Sequence, residues 1–295
     1  MSTKSGHPVA RREVGVDVFV DPSQPGGGNP LAVVIDGDGL DHPAMLRFAQ
    51  RKNLSEVTFV KQSLDPNAHY LNEIYMTTGP IPMAGHPSLG TAAAVAHARG
   101  VTSATYIQQT RAGLQPVTVT FEGGRAYASM LQEPGAFGEP LVDRGPVLRA
   151  LGLGAGDGHP TLPVQSVSTG IRHLMVPVSD LDALRRAQPT FAEVKAITEA
   201  TGTVVLYLFA LDASAEEVVA RGFFATDSEL VEDPATGSAA GTLGVYHARH
   251  TRTTRLRIRQ GEQVGRPSRI DTELDGTRVR VGGYCVISSD EQSTL

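Results

Sequence analysis

The decapeptides Met83-Ala-Gly-His-Pro-Ser-Leu-Gly-Thr-Ala92 and Glu232-Asp-Pro-Ala-Thr-Gly-Ser-Ala-Ala-Gly241 decide how this chain folds. Each sets a polar side chain, His86 or Asp233, directly before a proline. Small residues and an apolar helical pattern follow. The pattern predicts a helix start with His86 or Asp233 as the capping residue and proline at the first helical position. A helix start without bulky side chains exposes backbone N–H groups and the positive end of the helix dipole, which together favour an anion. The two segments stand half a chain apart. They predict two related lobes that aim their helix starts at one shared cleft.

Composition narrows the function classes. A chain of 295 residues exceeds the usual size of a single core, which favours two lobes. With no Trp and 5% aromatics there is little material for a base-stacking surface, and a net charge of −5 gives no electrostatic footprint for nucleic acid or an acidic membrane. Cys285 is the only cysteine, so no intrachain disulfide can form. Residues 1–12 are polar and basic and read as a disordered tail. No apolar run reaches the ~20 residues that span a bilayer, so the cytoplasm is the expected location.

Periodicity predicts strands over 13–20, 31–35, 55–61, 70–76, 106–109, 117–121 and 125–131 in the first half, with a helix over 41–52 and a second from the first special segment to about residue 99. The second half repeats the style, with strands over 163–168, 173–178, 204–211, 218–225, 255–259, 269–274 and 278–287. Helices are expected over 180–186, 190–200 and from the second special segment to about residue 249. Each half is thus a set of strands around one late helix of small residues. The expected lobes are 13–132, completed by a C-terminal strand over 278–290, and 133–277.

Glu56 is the first candidate for chemistry. Set inside a strand pattern among apolar neighbours, it suits acid or base work near neutral pH; the competing reading is an edge-strand carboxylate facing water. His86 is read as a ligand contact or proton carrier, against a local hydrogen-bonding role in a Gly-rich turn. Asp233 is read as a ligand contact, against an ordinary N-cap. The smallness of Thr236, Gly237 and Ser238 exceeds what capping requires and favours a ligand close to the backbone. Gly26-Gly-Gly-Asn-Pro30 looks like a phosphate loop but precedes a strand and lacks the lysine, so it reads as a turn. His247 and His250 have metal-ligand spacing with no third ligand nearby. Arg255, Arg257 and Arg259 read as a solvated strand face, and Cys285 as buried and inert.

The runs Asp17-Val-Phe19, Gly28-Asn-Pro-Leu-Ala-Val33, Ser55-Glu56 before Thr58-Phe59, Ala84-Gly-His-Pro-Ser-Leu-Gly-Thr91, Glu232-Asp-Pro-Ala-Thr-Gly-Ser-Ala239 and Gln260-Gly…Gly265-Arg-Pro-Ser268 together resemble the PhzF (phenazine biosynthesis) family over about residues 13–290. The resemblance implies an α+β, diaminopimelate-epimerase-like fold of two pseudo-symmetric lobes, each a sheet wrapped around a central helix, in a homodimer. It implies an isomerase that works on a small carboxylated substrate, such as a dihydro-hydroxyanthranilate-like compound, without metal or organic cofactor. Glu56 would be the proton shuttle, His86 and Asp233 would orient the substrate, and Ser55, Gly85, Gly237 and Ser238 would contact it. Related racemases use a pair of cysteines, which a chain with one cysteine cannot supply. Where family members carry Arg-Ile-Phe-Thr-Pro and then Glu six residues before the His, this chain has Glu73-Ile-Tyr-Met-Thr77 and Pro80, which leaves the substrate open. The rival readings are an epimerase, an eliminating or C–C-cleaving enzyme using the same enolate-like intermediate, and a non-catalytic carboxylate-binding protein.

Overall fold

In the computed structural model, which describes residues 10–24, 26–212, 216–226 and 228–294, the chain begins with β1 (Ala10–Val20), β2 (Asn29–Val34), α1 (His42–Lys52), β3 (Val57–Lys61), β4 (Tyr70–Met76), β5 (Gly79–Ile81) and α2 (Gly85–Ala98). It continues through β6 (Ser103–Thr110), β7 (Gly113–Glu122), β8 (Arg125–Leu131), β9 (Ala136–Pro140), α3 (Gly145–Ala150), β10 (Gln165–Ser168), β11 (Arg172–Pro177), α4 (Leu181–Arg186) and α5 (Phe191–Thr201). It closes with β12 (Val205–Leu211), β13 (Glu217–Ala225), β14 (Leu230–Asp233), α6 (Gly237–Thr251), β15 (Arg255–Gln260), β16 (Ser268–Asp275) and β17 (Arg278–Thr294). This is the expected α+β class. The short β5, β9 and α3 carry too few residues for a periodic signal.

One compact unit contains Pro30–Ala128 with the described parts of Met1–Val18 and Cys285–Leu295; the other contains Phe19–Asn29 and Ser129–Tyr284. The expected division at residue 133 therefore falls a few residues earlier, residues 19–29 go with the second unit, and β17 supplies strand to both. Residues 10–12, expected in a disordered tail, open β1: the Ile35 N–H donates to the Arg12 carbonyl at 3.0 Å, and the Arg12 guanidinium pairs with Asp290 at 2.8 Å. Arg11 is held as well, donating to the Asp36 and Asp38 carbonyls at 2.9 Å each. Residues 1–9 lie outside the described residues.

In the first unit, β2 runs parallel to β3 (Val33 opposite Thr58), β3 antiparallel to β4 (Thr58 opposite Ile74), and β4 parallel to β6 (Tyr70 opposite Gln108). The sheet wraps around α2, which is buried from Gly85 to Ala96. A helix buried all round needs small apolar residues on every face, and Gly-Thr-Ala-Ala-Ala supplies them. The close approach is sharpest at Gly90, where a Cβ would come within 2.6 Å of Leu31 Cδ2 and 2.7 Å of Val18 Cγ2. Helix α1 covers another face, packing Met45, Phe48 and Ala49 on Val34, Phe59 and Tyr75. It starts as its sequence dictates, with Asp41 accepting from the Ala44 N–H at 2.9 Å, and ends at Asn53 in the left-handed region (φ 48°).

In the second unit, β11 and β12 are parallel, β12, β13 and β14 are successively antiparallel, β13 is parallel to β15, and β15, β16 and β17 form an antiparallel series. Helix α6 is its buried centre, with all but one of the residues from Gly237 to His247 inaccessible. A separate cluster sets Val147, Leu184 and Val194 of α3, α4 and α5 against Val176, Leu206 and Leu208 of the strands. Both α4 and α5 begin with an acceptor side chain, Asp180 and Thr190, each bonded to a first-turn N–H.

Candidate active site

Neither His86 nor Asp233 caps its helix, contrary to the sequence expectation. Helix α2 starts two residues earlier, with extended Ala84 as N-cap and His86 as the second helical residue, so the imidazole lies inside the first turn. Helix α6 starts later, with Thr236 as N-cap, and Asp233 ends β14. No described side chain caps either helix. The Thr236 hydroxyl, the natural cap of α6, donates instead to Asp233 Oδ2 at 2.7 Å.

Glu56 is also displaced from expectation. Because α1 turns off at Asn53, residues Leu54 to Glu56 form the connection and β3 begins only at Val57. Glu56 and its neighbour Ser55 therefore stand at the mouth of the strand, half-buried, where a side chain can reach a ligand without leaving the sheet. The Glu56 carboxyl meets His86: Oε2 lies 3.6 Å from Nε2, with the two side chains 16% and 6% exposed.

The state of the His86 ring follows from its surroundings. Burial drives its pKa down to about 3, and a hydrogen bond to the Pro30 backbone opposes that shift. Proline has no N–H, so its carbonyl accepts and the imidazole donates. Nε2 is buried with no hydrogen-bond partner among the described residues, which leaves Nδ1 as the donor. A neutral ring with its proton at Nδ1 turns the lone pair of Nε2 towards Glu56. Gly85, the first residue of α2, adds a buried backbone N–H at the same helix start.

Asp233 sits in a denser network within the second unit. Asn29 Nδ2 donates to its Oδ1 at 2.9 Å, and Gln260 Nε2 donates to its backbone carbonyl at 2.7 Å. Gln260 Oε1 in turn accepts from Tyr207 Oη at 2.8 Å and from the Thr236 N–H at 3.2 Å, so one amide ties β14, α6 and β12 together. Opposite Asp233 in the ladder stands Gly222, where a Cβ would come within 2.7 Å of Thr236 Oγ1 and wedge the network open. Burial pushes the Asp233 carboxyl up to about 6 despite the bonds from Thr236 and Asn29. Beyond it, Gln132 Nε2 donates to the Gly237 carbonyl at 3.0 Å, and Ser238 Oγ lies 3.1 Å from His173 Nε2.

Asn29, Gln260 and His173 carry no role in the sequence reading. Asn29 and Gln260 belong to quoted family-like runs, which was the available signal; His173 lies in an ordinary strand pattern and gave none. The remaining candidates have local explanations. Gly26, Gly27 and Gly28 all have positive φ, and the Arg266 guanidinium donates to the Gly27 and Gly28 carbonyls, so the segment is a clamped turn. His247 Nδ1 meets Thr251 Oγ1 and His250 Nε2 meets Gln165 Oε1; among the described residues no three His, Cys, Asp or Glu side chains are placed to hold a metal ion. Arg255, Arg257 and Arg259 pair with Glu273, Glu217 and Asp212. Cys285 is fully buried. Glu73, one of the departures from the family pattern, is held by Arg111 at 3.0 Å, and Pro80 lies opposite Tyr75 in the β4–β5 hairpin. An open cavity of about 390 Å³ runs along the last turns of α6, lined by Val245, Ala248, Arg249 and Phe137, at the opposite end of the helix from Gly237. No helix among the described residues is long and apolar enough to cross a membrane.

A buried imidazole facing a half-buried carboxyl, in an α+β protein whose central helices start without caps, defines a candidate acid–base enzyme. Residues 16–291 match the sequence profile of the phenazine biosynthesis-like (PhzC–PhzF) family, and the chain belongs to that family. It is 33% identical over 274 residues to the trans-2,3-dihydro-3-hydroxyanthranilate isomerase of Pseudomonas aeruginosa, covering 92% of each chain. The crystal structure of a PhzF-family protein from Bacillus anthracis superposes with a TM-score of 0.85 at 23% identity, covering 97% of this chain and all of that one. A probable proline racemase from Agrobacterium radiobacter shares the fold at a TM-score of 0.65 and 14% identity, over 97% of this chain and 93% of its own, which agrees with the diaminopimelate-epimerase-like class. The chain is an isomerase of the PhzF type.

Proposed function

We propose that this isomerase moves a proton between carbon atoms of a small carboxylated, unsaturated or cyclic metabolite, without metal or organic cofactor. The observation that carries the reading is the Glu56–His86 pair: a carboxyl oxygen 3.6 Å from a buried imidazole nitrogen whose lone pair has no other claimant among the described residues. The Nε2 lone pair faces the carboxyl, and the ionised Glu56 carboxylate is the group proposed to take a proton from carbon.

Glu56 removes a proton from a carbon conjugated with the substrate carboxyl, the electron pair moves into the conjugated system, and the same proton returns to another carbon as the double bond shifts. Nothing is oxidised and nothing leaves. The anion formed on the way needs donors directed at its oxygens, and these are the role proposed for Ser238 and for the N–H groups of Gly85 and Gly237. Asp233 accepts from Asn29 at Oδ1, from Thr236 at Oδ2 and from the Ala235 backbone, and a carboxylate with about four lone-pair sites keeps one for a substrate hydroxyl or amine. His86 and Ser55 complete the contacts around Glu56. The substrate of the Pseudomonas aeruginosa relative has these chemical features and is the natural first test. The homodimer implied by the family resemblance is proposed with the activity.

The experiment is incubation of the purified chain with trans-2,3-dihydro-3-hydroxyanthranilate in deuterated water, followed by absorbance and mass spectrometry. The expected product has the substrate's composition apart from exchanged deuterium. A product lighter by water or carbon dioxide would establish elimination or cleavage instead, and no conversion would refute this substrate.

A further inference from the structure

Ser238 is the second residue of α6 and only partly buried, whereas His173, on β11 between Val167 of β10 and Val205 of β12, is 1% exposed. Their side chains meet at 3.1 Å through His173 Nε2 and Ser238 Oγ. Which of the two donates decides what Ser238 can offer a ligand.

We propose that His173 is a positioning residue that donates from Nε2 to Ser238 Oγ and so leaves the Ser238 hydroxyl proton as a donor to the substrate carboxylate. The proposal rests on the reading of Ser238 as a carboxylate contact. The other ring nitrogen supplies the argument: Nδ1 is buried and has no hydrogen-bond partner among the described residues. Burial drives the His173 pKa down to about 3, so the ring is neutral and carries a single N–H. With that proton on Nδ1, a buried donor would be orphaned; with it on Nε2, only an acceptor lone pair goes unused. Buried unpaired N–H groups are the rarer defect. The tautomer with Nε2–H follows, and Ser238 Oγ is the acceptor.

This matters because a serine near a helix start has competitors for its hydroxyl among the neighbouring backbone groups. The bond from His173 fixes the oxygen, and the Thr242 hydroxyl holds the Ser238 carbonyl at 2.9 Å from the next turn. The hydroxyl proton then has no acceptor on His173 and serves a group that offers lone pairs. A carboxylate does so; an ammonium does not. His173 therefore contributes to specificity without touching the substrate.

Long-range proton–nitrogen NMR on the isotopically labelled chain reads the tautomer directly, and Nε2–H with unprotonated Nδ1 is expected. Kinetics with trans-2,3-dihydro-3-hydroxyanthranilate supply the second readout. His173→Leu should raise KM ~tenfold with kcat held within ~threefold, the mark of lost ground-state binding. His173→Gln, whose amide can place an N–H near the position of Nε2, should restore KM to within ~threefold. In a Ser238→Ala background, His173→Leu should add no more than ~twofold. A ring protonated at Nδ1, or an effect of His173→Leu that persists undiminished without the Ser238 hydroxyl, would overturn the proposal. If the unmodified chain does not convert the compound, the assigned reaction fails while the NMR spectrum still decides the state of His173.

Discussion

Acid should destabilise this protein in a pH range where most surface carboxylates remain ionised. His86 and His173 are pushed down to about 3 by burial, from an ordinary value of 6.5. Below about pH 6.5 the unfolded chain therefore protonates both rings while the native state keeps them neutral, so the unfolded state binds more protons and stability falls as pH falls. The contribution is fully present above that ordinary value and is lost progressively towards the native value. At about pH 5 each ring should account for ~2 kcal/mol of lost stability. Asp233 works in the opposite sense: raised from 3.8 to about 6, it binds a proton in the native state before the unfolded chain does, and so returns ~1 kcal/mol at about pH 5. Asp290, held at about 2 chiefly by its hydrogen bond to Arg12, does not titrate in this window. The net loss between about pH 7.5 and about pH 5 is ~3 kcal/mol, and His247, pushed down to about 4, adds to it. Urea unfolding followed by far-UV circular dichroism at the two pH values measures it. His173→Gln should shrink the loss and Asp233→Asn should deepen it. Equal or greater stability at the lower pH would refute the assignment of buried neutral imidazoles.

Glu56→Gln keeps the side chain's shape but cannot take a proton from carbon, so turnover should fall by at least ~10² with the dichroism spectrum unchanged; a folded variant with retained turnover would refute the role of Glu56. Dialysis against a chelator and Cys285→Ser should each leave activity in place. Activity lost on chelation and restored by a divalent ion would establish a metal that the reading omits. Gly90→Val forces a side chain against Leu31 and Val18 and should cost ~1–3 kcal/mol, seen as a lower denaturation midpoint. An unchanged midpoint would contradict the close contact at α2.

What the sequence made legible was what local rules control. The helix expected over 41–52, the strand at Tyr70–Met76 and the central helices of small residues follow from spacing and residue size. The family-like motifs pointed to Glu56, His86 and Asp233, but local rules misplaced all three. Glu56 falls outside its strand because Asn53 adopts a left-handed cap, and the proline that local rules place at a helix start follows a side chain held by tertiary hydrogen bonds. His86 is committed to Pro30, and Asp233 to Asn29, more than two hundred residues away in sequence. The consecutive residues Asn29 and Pro30 read as no more than the end of a glycine turn. His173 illustrates the limit further: its importance lies in one bond across 65 residues and one unsatisfied nitrogen, and neither leaves a periodic trace.

The last residues of β17 have a consequence for biosynthesis. Asp290 pairs with Arg12 and accepts from His97, Ser293 bonds Glu13, and the Thr294 carbonyl accepts from Arg51, all within the first compact unit. That unit thus contains the earliest described residues of the chain and the latest. Nearly all of it is made before the closing segment exists, and Ser129–Tyr284 of the second unit is translated in between. The N-terminal unit must wait, with Val14, Val16 and the sheet around α2 incompletely covered, while the interior of the second unit is already translated. Folding in order of synthesis, the usual course for successive domains, is denied to it. Loss of residues 285–294 would therefore damage the unit that holds β1 first.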